Sequence, residues 1–181
     1  MRLRATKLAG AYIFELEPVI DARGFFVRTY DRRILAENGL NTAWEQESVS
    51  FNKTANTLRG LHFQLPPLIE TKIVRVSHGA IIDVFVDLRK ESETFGEWEA
   101  VELTGTNNRA VYIPAGFAHG FCTLVDETTI EYKIDVPYKS DLAAGIRWND
   151  TRLSIDWKVA EPLVSERDAN LQFFADFDSP F

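Results

Sequence analysis

Leu58-Arg59-Gly60-Leu61-His62-Phe63-Gln64 is an alternating apolar run that carries one guanidinium and one imidazole. Successive side chains of a strand point to opposite faces. A regular strand here sends Leu58, Gly60, His62 and Gln64 one way, and Arg59, Leu61 and Phe63 the other. A histidine in such a run faces an interior, and a titratable group in an interior is a candidate site.

On either side the chain reads as short apolar alternations separated by turn residues, the pattern of an all-β sandwich or barrel. Strands are expected at Ala11–Leu16, Phe25–Tyr30 (after an Asp21-Ala22-Arg23-Gly24 turn), Glu45–Asn52 and Leu58–Gln64. Pro66-Pro67 breaks the run. The clearest strands are Thr71–Ser77 and Ala80–Leu88, joined by a His78-Gly79 turn. In the second of these Val84, Val86 and Leu88 share one face, while Asp83, Phe85 and Asp87 share the other. A face with two carboxylates is not plain core. Further strands are expected at Glu97–Leu103, Ala110–Ile113, Gly120–Leu124 and Thr128–Val136, with a looser tail from Thr151. Asp31–Gly39 has a helix N-cap and a terminal glycine. About ten strands and one or two short peripheral helices make a double-sheet jelly roll the expected fold.

The chain has 181 residues, enough for a single domain spanning 1–181 with a sizeable core. Its net charge of −7 argues against broad binding to nucleic acid or anionic membranes. An anionic small molecule needs only a few local Arg and Lys residues. Three His and one Cys exclude a disulfide framework and a Cys-based zinc site. Cys122, in the run Gly120–Leu124, reads as a buried thiol. There is no apolar stretch of spanning length, and Met1–Thr6 has no apolar signal core, so a cytoplasmic protein is expected.

Ile113-Pro114-Ala115-Gly116-Phe117-Ala118-His119-Gly120-Phe121 resembles the second motif of the small β-barrels called cupins, with His119 at the mouth of a strand. Many cupins hold a metal with His-x-His and a Glu from one motif and a His from the other. Here the first motif is His62-x-Gln64, so one histidine is missing even if Glu70 stands in for the glutamate. Three or four donors are needed, and no metal is expected. His78, in a turn, reads as solvated. Without a metal, His62 is a candidate Brønsted base, which needs an orienting carboxylate and an acid across the substrate. Asp168 is the candidate orienter, Tyr132 and Tyr138 are candidate acids, and Lys72 and Arg59 are candidate stabilisers of negative charge.

Taken in order, these motifs resemble the dTDP-4-dehydrorhamnose 3,5-epimerase family from Asp21 to Asp168. The matching stretches include Asp21–Phe26, Leu58–Pro67, Lys72–Val76, Gly79–Val84, Val86–Arg89 and Ile113–Phe121. They continue with Glu131-Tyr132, Trp148-Asn149-Asp150, Ile155-Asp156-Trp157 and Ser165–Asp168. The resemblance implies a metal-free, cofactor-independent cupin-fold homodimer that inverts C3 and C5 of a nucleotide-linked 4-keto-6-deoxyhexose. It implies His62 with Asp168 as base, Tyr132 as acid and Lys72 at the enolate oxygen. Arg59 and His119 would line the pocket around sugar and phosphates, and Tyr138 would orient the sugar. Gln46 would also contact the substrate. Arg23 and Phe26 would form a nucleotide subsite that reaches into the neighbouring subunit. Three positions depart from the family pattern: Arg28 in place of a glutamate, Gln46-Glu47-Ser48 in place of Gln-Asp-Asn, and Glu70 in place of a glutamine. These departures leave open another nucleotide, CDP or GDP, and inversion at one carbon only. A metal-dependent oxygenase or isomerase and a non-catalytic sugar-binding jelly roll are the competing classes.

Overall fold

The structure, a computed structural model, describes residues 1–181. Its strands are β1 (Arg2–Ala5), β2 (Tyr12–Glu15), β3 (Val19–Asp21), β4 (Gly24–Phe26), β5 (Gln46–Asn52), β6 (Thr57–Gln64) and β7 (Lys72–His78). They continue with β8 (Ala80–Asp87), β9 (Trp98–Thr104), β10 (Arg109–Ile113), β11 (Phe117–Thr123), β12 (Thr128–Ile134), β13 (Ala143–Gly145) and β14 (Leu163–Val164). Two short helices, α1 (Arg32–Glu37) and α2 (Glu166–Ala169), lie outside the sheets. One sheet has the order β1-β2-β10-β7-β12-β5 and the other β13-β6-β11-β8-β9. This is the expected all-β jelly roll of cupin type. No helix is long and apolar enough to cross a membrane.

Alternation along the strands builds three apolar layers. Val74, Val76, Phe85, Val111, Phe121 and Ile130 pack between the two sheets. Leu58, Leu61, Val84, Val86 and Leu88 form the outer layer of the second sheet. Leu35 of α1 covers Phe14, Ile73 and Tyr112 on the outside of the first. The β8 reading holds: Val84, Val86 and Leu88 lie together, and Asp83 and Asp87 are fully buried on the other face, each with a partner.

Asp87 accepts hydrogen bonds from the Arg89 backbone and guanidinium and from the Ser92 and Thr94 hydroxyls. Burial alone raises its pKa, and these donors together overcome that and hold the carboxyl below its ordinary value of 3.8. A depressed carboxylate contributes stability that is fully present above the ordinary value and is lost as pH falls through the lowered one. Asp87→Asn is therefore expected to cost stability at neutral pH and to flatten the acid limb of a Tm-versus-pH series between about pH 5 and pH 2. An equally steep limb in the variant would refute this.

Three expectations are corrected. Phe25–Tyr30 is not one strand: only Gly24–Phe26 pairs, with β3, in a small two-stranded hairpin. The motif around His119 gives a longer strand than Gly120–Leu124, so His119 sits within β11 rather than at its mouth. The tail is irregular but not loose. Leu153, Trp157 and Phe174 are buried on the outer face of the second sheet, and Trp157 Nε1 donates to the Trp148 carbonyl at 2.8 Å. Apolar residues spaced without period gave no strand or helix signal, yet they suffice to cover a sheet face.

Candidate active site

Arg59 and His62 line the same cavity, although three residues apart they would face opposite ways in a regular strand. The register explains it. His119 pairs with His62 and Phe121 with Arg59, so β6 spends one residue more than β11 between the two pairs. That is a bulge. Gly60 sits at it with φ +134°, where a Cβ would lie 2.5 Å from the Gly120 Cα. Leu58 and Leu61, also three apart, share the outer apolar layer for the same reason. The regular alternation expected for Arg59 is thus wrong, while Gly60 was its available signal, since an isolated glycine in a strand pattern marks a bulge. Gly60→Ala combines backbone strain with a backbone clash and is expected to cost about 2–4 kcal/mol. Urea unfolding would test it, and a loss below the error of the fit would contradict the bulge's role.

The bulge opens the inner face of β6 onto a cavity of about 320 Å³ between the sheets. Lys72, at the start of β7, and Tyr132, in β12, line it from the opposite sheet, together with His62, His119, Arg59, Gln64 and Tyr138. Six of the ten expected site residues are therefore brought into one space, and Asp168 reaches it from behind His62. No group of three His, Cys, Asp or Glu side chains is placed to hold a metal ion.

Asp168 arrives by way of the tail. β14 pairs in parallel with β6, and the chain then turns into α2, whose N-cap Ser165 accepts a hydrogen bond from the Asp168 amide at 3.1 Å. This Ser-x-x-Asp start resembles a capping box, but the Asp168 carboxylate turns to β6 instead. His62 Nε2–H donates to Asp168 Oδ1 at 2.7 Å, and the Gly60 amide donates to Oδ2 at 3.2 Å. Burial pushes the Asp168 carboxyl up. The His62 hydrogen bond and charge, then Gly60 and Arg167, outweigh it, and the pKa lies below the ordinary carboxylate value. An ionised carboxylate only accepts, so it fixes the His62 proton on Nε2 and leaves Nδ1 as the nitrogen able to take one.

A second pair, unseen in the sequence, lies beside the first in the same sheet, where His119 is the cross-strand neighbour of His62. His119 Nε2–H donates to Asp83 Oδ2 at 2.7 Å, both residues are buried, and Asp83 Oδ1 has no partner. The His119 ring meets Tyr132 edge-on, with centroids 6.3 Å apart. Burial, and then the Asp83 charge, drive the Tyr132 pKa far upward; Arg59 and Ser50 offset this only in part. The phenol is thus held protonated. The two-carboxylate face of Ala80–Leu88 was the signal for Asp83, but nothing in the spacing named its partner.

Arg59 Nε donates to Asn52 Oδ1 at 2.9 Å, which anchors the guanidinium at the cavity wall. Gln46 does not line the cavity; its Oε1 accepts from the Tyr138 amide at 2.8 Å and so fixes the loop that carries Tyr138. Arg23 and Phe26 are not brought to the cavity of their own chain. They lie on the exposed β3–β4 hairpin, Arg23 paired with Asp21 and Phe26 69% exposed. Of the departures, Arg28 lies near Asp31 beside that hairpin, and Ser48 and Glu70 line the cavity. Arg167, not singled out in the sequence, lines it as well. His78 is exposed, and burial raises the pKa of the Cys122 thiol to about 11, as expected for an inert buried cysteine.

A sequence profile described as dTDP-4-dehydrorhamnose 3,5-epimerase matches residues 5–176. A dTDP-4-dehydrorhamnose 3,5-epimerase of Shigella flexneri is 41% identical over 179 residues, covering 98% of each chain. A crystal structure of the enzyme of that name from Bacillus anthracis, with TDP and PPi bound, superposes with a TM-score of 0.93 at 42% identity, over 96% of this chain and 99% of that one. A dTDP-6-deoxy-D-glucose-3,5-epimerase from Legionella pneumophila, in complex with dTDP-4-keto-L-rhamnose, gives 0.92 at 34% identity, over 98% of this chain and 94% of that one. By sequence, fold and the residues gathered in its cavity, the chain belongs to the dTDP-4-dehydrorhamnose 3,5-epimerase family.

Proposed function

We infer that the protein inverts C3 and C5 of dTDP-4-dehydro-6-deoxy-D-glucose to give dTDP-4-dehydro-L-rhamnose. The observation that carries this is a buried carboxylate orienting His62 in a cavity that also holds a protonated Tyr132 and the Lys72 ammonium. Both carbons flank the C4 ketone, so their hydrogens are acidic once the resulting charge has somewhere to go. His62 Nδ1 takes the proton from one face, and the electron pair of the broken C–H bond moves to the C4 oxygen. Lys72 stabilises that enolate oxygen, a contribution of several kcal/mol for a well-placed donor. Tyr132 then gives its proton to the opposite face of the same carbon, forming the new C–H bond with inverted configuration. His62 then releases its proton to solvent, Tyr132 takes one back from solvent, and the cycle repeats at the second carbon.

Arg59 and His119 hold the sugar and phosphates, and Tyr138 orients the ring. Arg23 and Phe26 act on the nucleotide from a second subunit. A guanidinium suits a diphosphate because its fork donates two hydrogen bonds at once. The homodimer this requires is supported by the β3–β4 hairpin, where Val19, Ile20, Phe25 and Phe26 are between 63% and 76% exposed, so that a ribbon of three-residue strands is apolar on both faces, Val19 with Phe26 on one and Ile20 with Phe25 on the other. NMR of the sugar after incubation with the dTDP-4-keto-6-deoxyglucose substrate tests the assignment. A product inverted at both C3 and C5 supports it, a product inverted at one carbon replaces it with mono-epimerisation, and unchanged substrate defeats it.

A further inference from the structure

Glu70 is the one carboxylate among the residues lining the cavity, and it lies against Lys72. Glu70 Oε1 and Lys72 Nζ are 2.8 Å apart, and each side chain is 10% exposed. The backbone between them is pinned: the Thr71 amide donates to Asp135 Oδ1 at 2.7 Å, and the Asp135 amide donates to the Thr71 carbonyl at 3.3 Å. Glu70 Oε2 takes no hydrogen bond from the protein, and an ammonium has three hydrogens to give. The cavity wall therefore carries a donor and an acceptor side by side, on a fixed segment, at hydrogen-bond spacing.

Stability gives little reason for such a pair, because taking two charges out of water offsets most of their attraction. A carboxylate beside the lysine that meets a growing enolate also opposes its task. An α-hydroxy ketone supplies the missing reason. It presents an acceptor-only carbonyl oxygen next to a hydroxyl that donates, the two oxygens within hydrogen-bond reach of each other.

We propose that Lys72 and Glu70 read this unit together: Lys72 donates to the C4 oxygen, and Glu70 accepts the hydrogen bond of the C3 hydroxyl. Glu70 is then a specificity-determining residue. It requires a hydroxyl at C3, and it sets which of the two carbons beside the ketone lies on the carboxylate side. A sugar lacking that hydroxyl leaves a carboxylate oxygen shielded from water and unpaired, which is the costly case. The inference rests on the epimerase reading given above.

The test compares dTDP-4-keto-6-deoxyglucose with its 3-deoxy counterpart in the full-length protein, in Glu70→Ala and in Glu70→Gln. Two quantities are read: kcat/KM for exchange of the C5 hydrogen in D2O, and Kd by calorimetry. The unsubstituted protein should favour the 3-hydroxy sugar by about 10- to 100-fold. Glu70→Ala should bring the two sugars within about 3-fold, and Glu70→Gln, which keeps an accepting carbonyl, should fall between. Equal treatment of both sugars by the unsubstituted protein, or undiminished discrimination in both variants, overturns the proposal. If Glu70→Ala fails to fold, the ratio for Glu70→Gln decides. If no exchange occurs on the parent sugar, the epimerase reading fails, and the Kd ratios alone still decide whether Glu70 reads the hydroxyl.

Discussion

His62→Ala is expected to lower hydrogen exchange at both C3 and C5 by about 10²- to 10⁴-fold, the range a positioned general base supplies. The loss should appear in kcat, with the fold intact, because the His62 side chain is 35% exposed and lies outside the apolar layers. Both carbons should suffer alike, since the proposed mechanism uses one imidazole for both. Asp168→Asn should reproduce much of the effect by a different route. An amide can donate as well as accept, so the asparagine no longer fixes the proton on Nε2 or stabilises the imidazolium that forms. Exchange rates read by NMR in D2O, with circular dichroism as the control for folding, check both variants. Exchange persisting at one carbon in His62→Ala would mean that another group takes that proton.

Tyr132→Phe is expected to separate two events that run together in the unsubstituted protein. In the proposed mechanism proton removal uses His62 and Lys72 but not the phenol, so exchange with D2O should continue. Inversion needs a proton from the opposite face, and it should fall by about 10²-fold or more. The enolate is then reprotonated from the side that lost its hydrogen, giving deuterated sugar of unchanged configuration. The ratio of exchange to inversion should therefore rise sharply. Burial and the Asp83 charge keep the Tyr132 phenol protonated, and an enolate carbon is a strong enough base to take the proton from it. Exchange and inversion falling by the same factor would place Tyr132 in binding instead of proton donation.

How much of this was legible in the sequence depends on what kind of signal each part left. Strand alternation placed β7 and β8 and both faces of β8, because one face of β8 meets only apolar side chains while the other carries Asp83 and Asp87 with their polar partners. The same rule failed at Arg59, where one extra residue in β6 reverses every side chain before it. The tail was misread for a related reason. Trp157 and Phe174 pack without periodicity, and only the folded sheet shows what they cover. Asp168 stands 106 residues from His62, so no local pattern joined them; the family resemblance did. Asp83 announced itself as a carboxylate on a buried face but not as the partner of His119. Glu70 showed as a departure from the family, and only its contact with Lys72 gave that departure a chemical meaning.

The proposed reaction turns on a proton taken by an oriented imidazole from carbon beside a ketone, with the cavity's own side chains supplying acid and charge. The direct measurement is deuterium incorporation into dTDP-4-keto-6-deoxyglucose in D2O, using protein dialysed against a chelator. Deuterium at both C3 and C5, at a rate the chelator does not change, is the predicted result. Absence of deuterium at either carbon, or exchange that chelation abolishes and added metal restores, would contradict it.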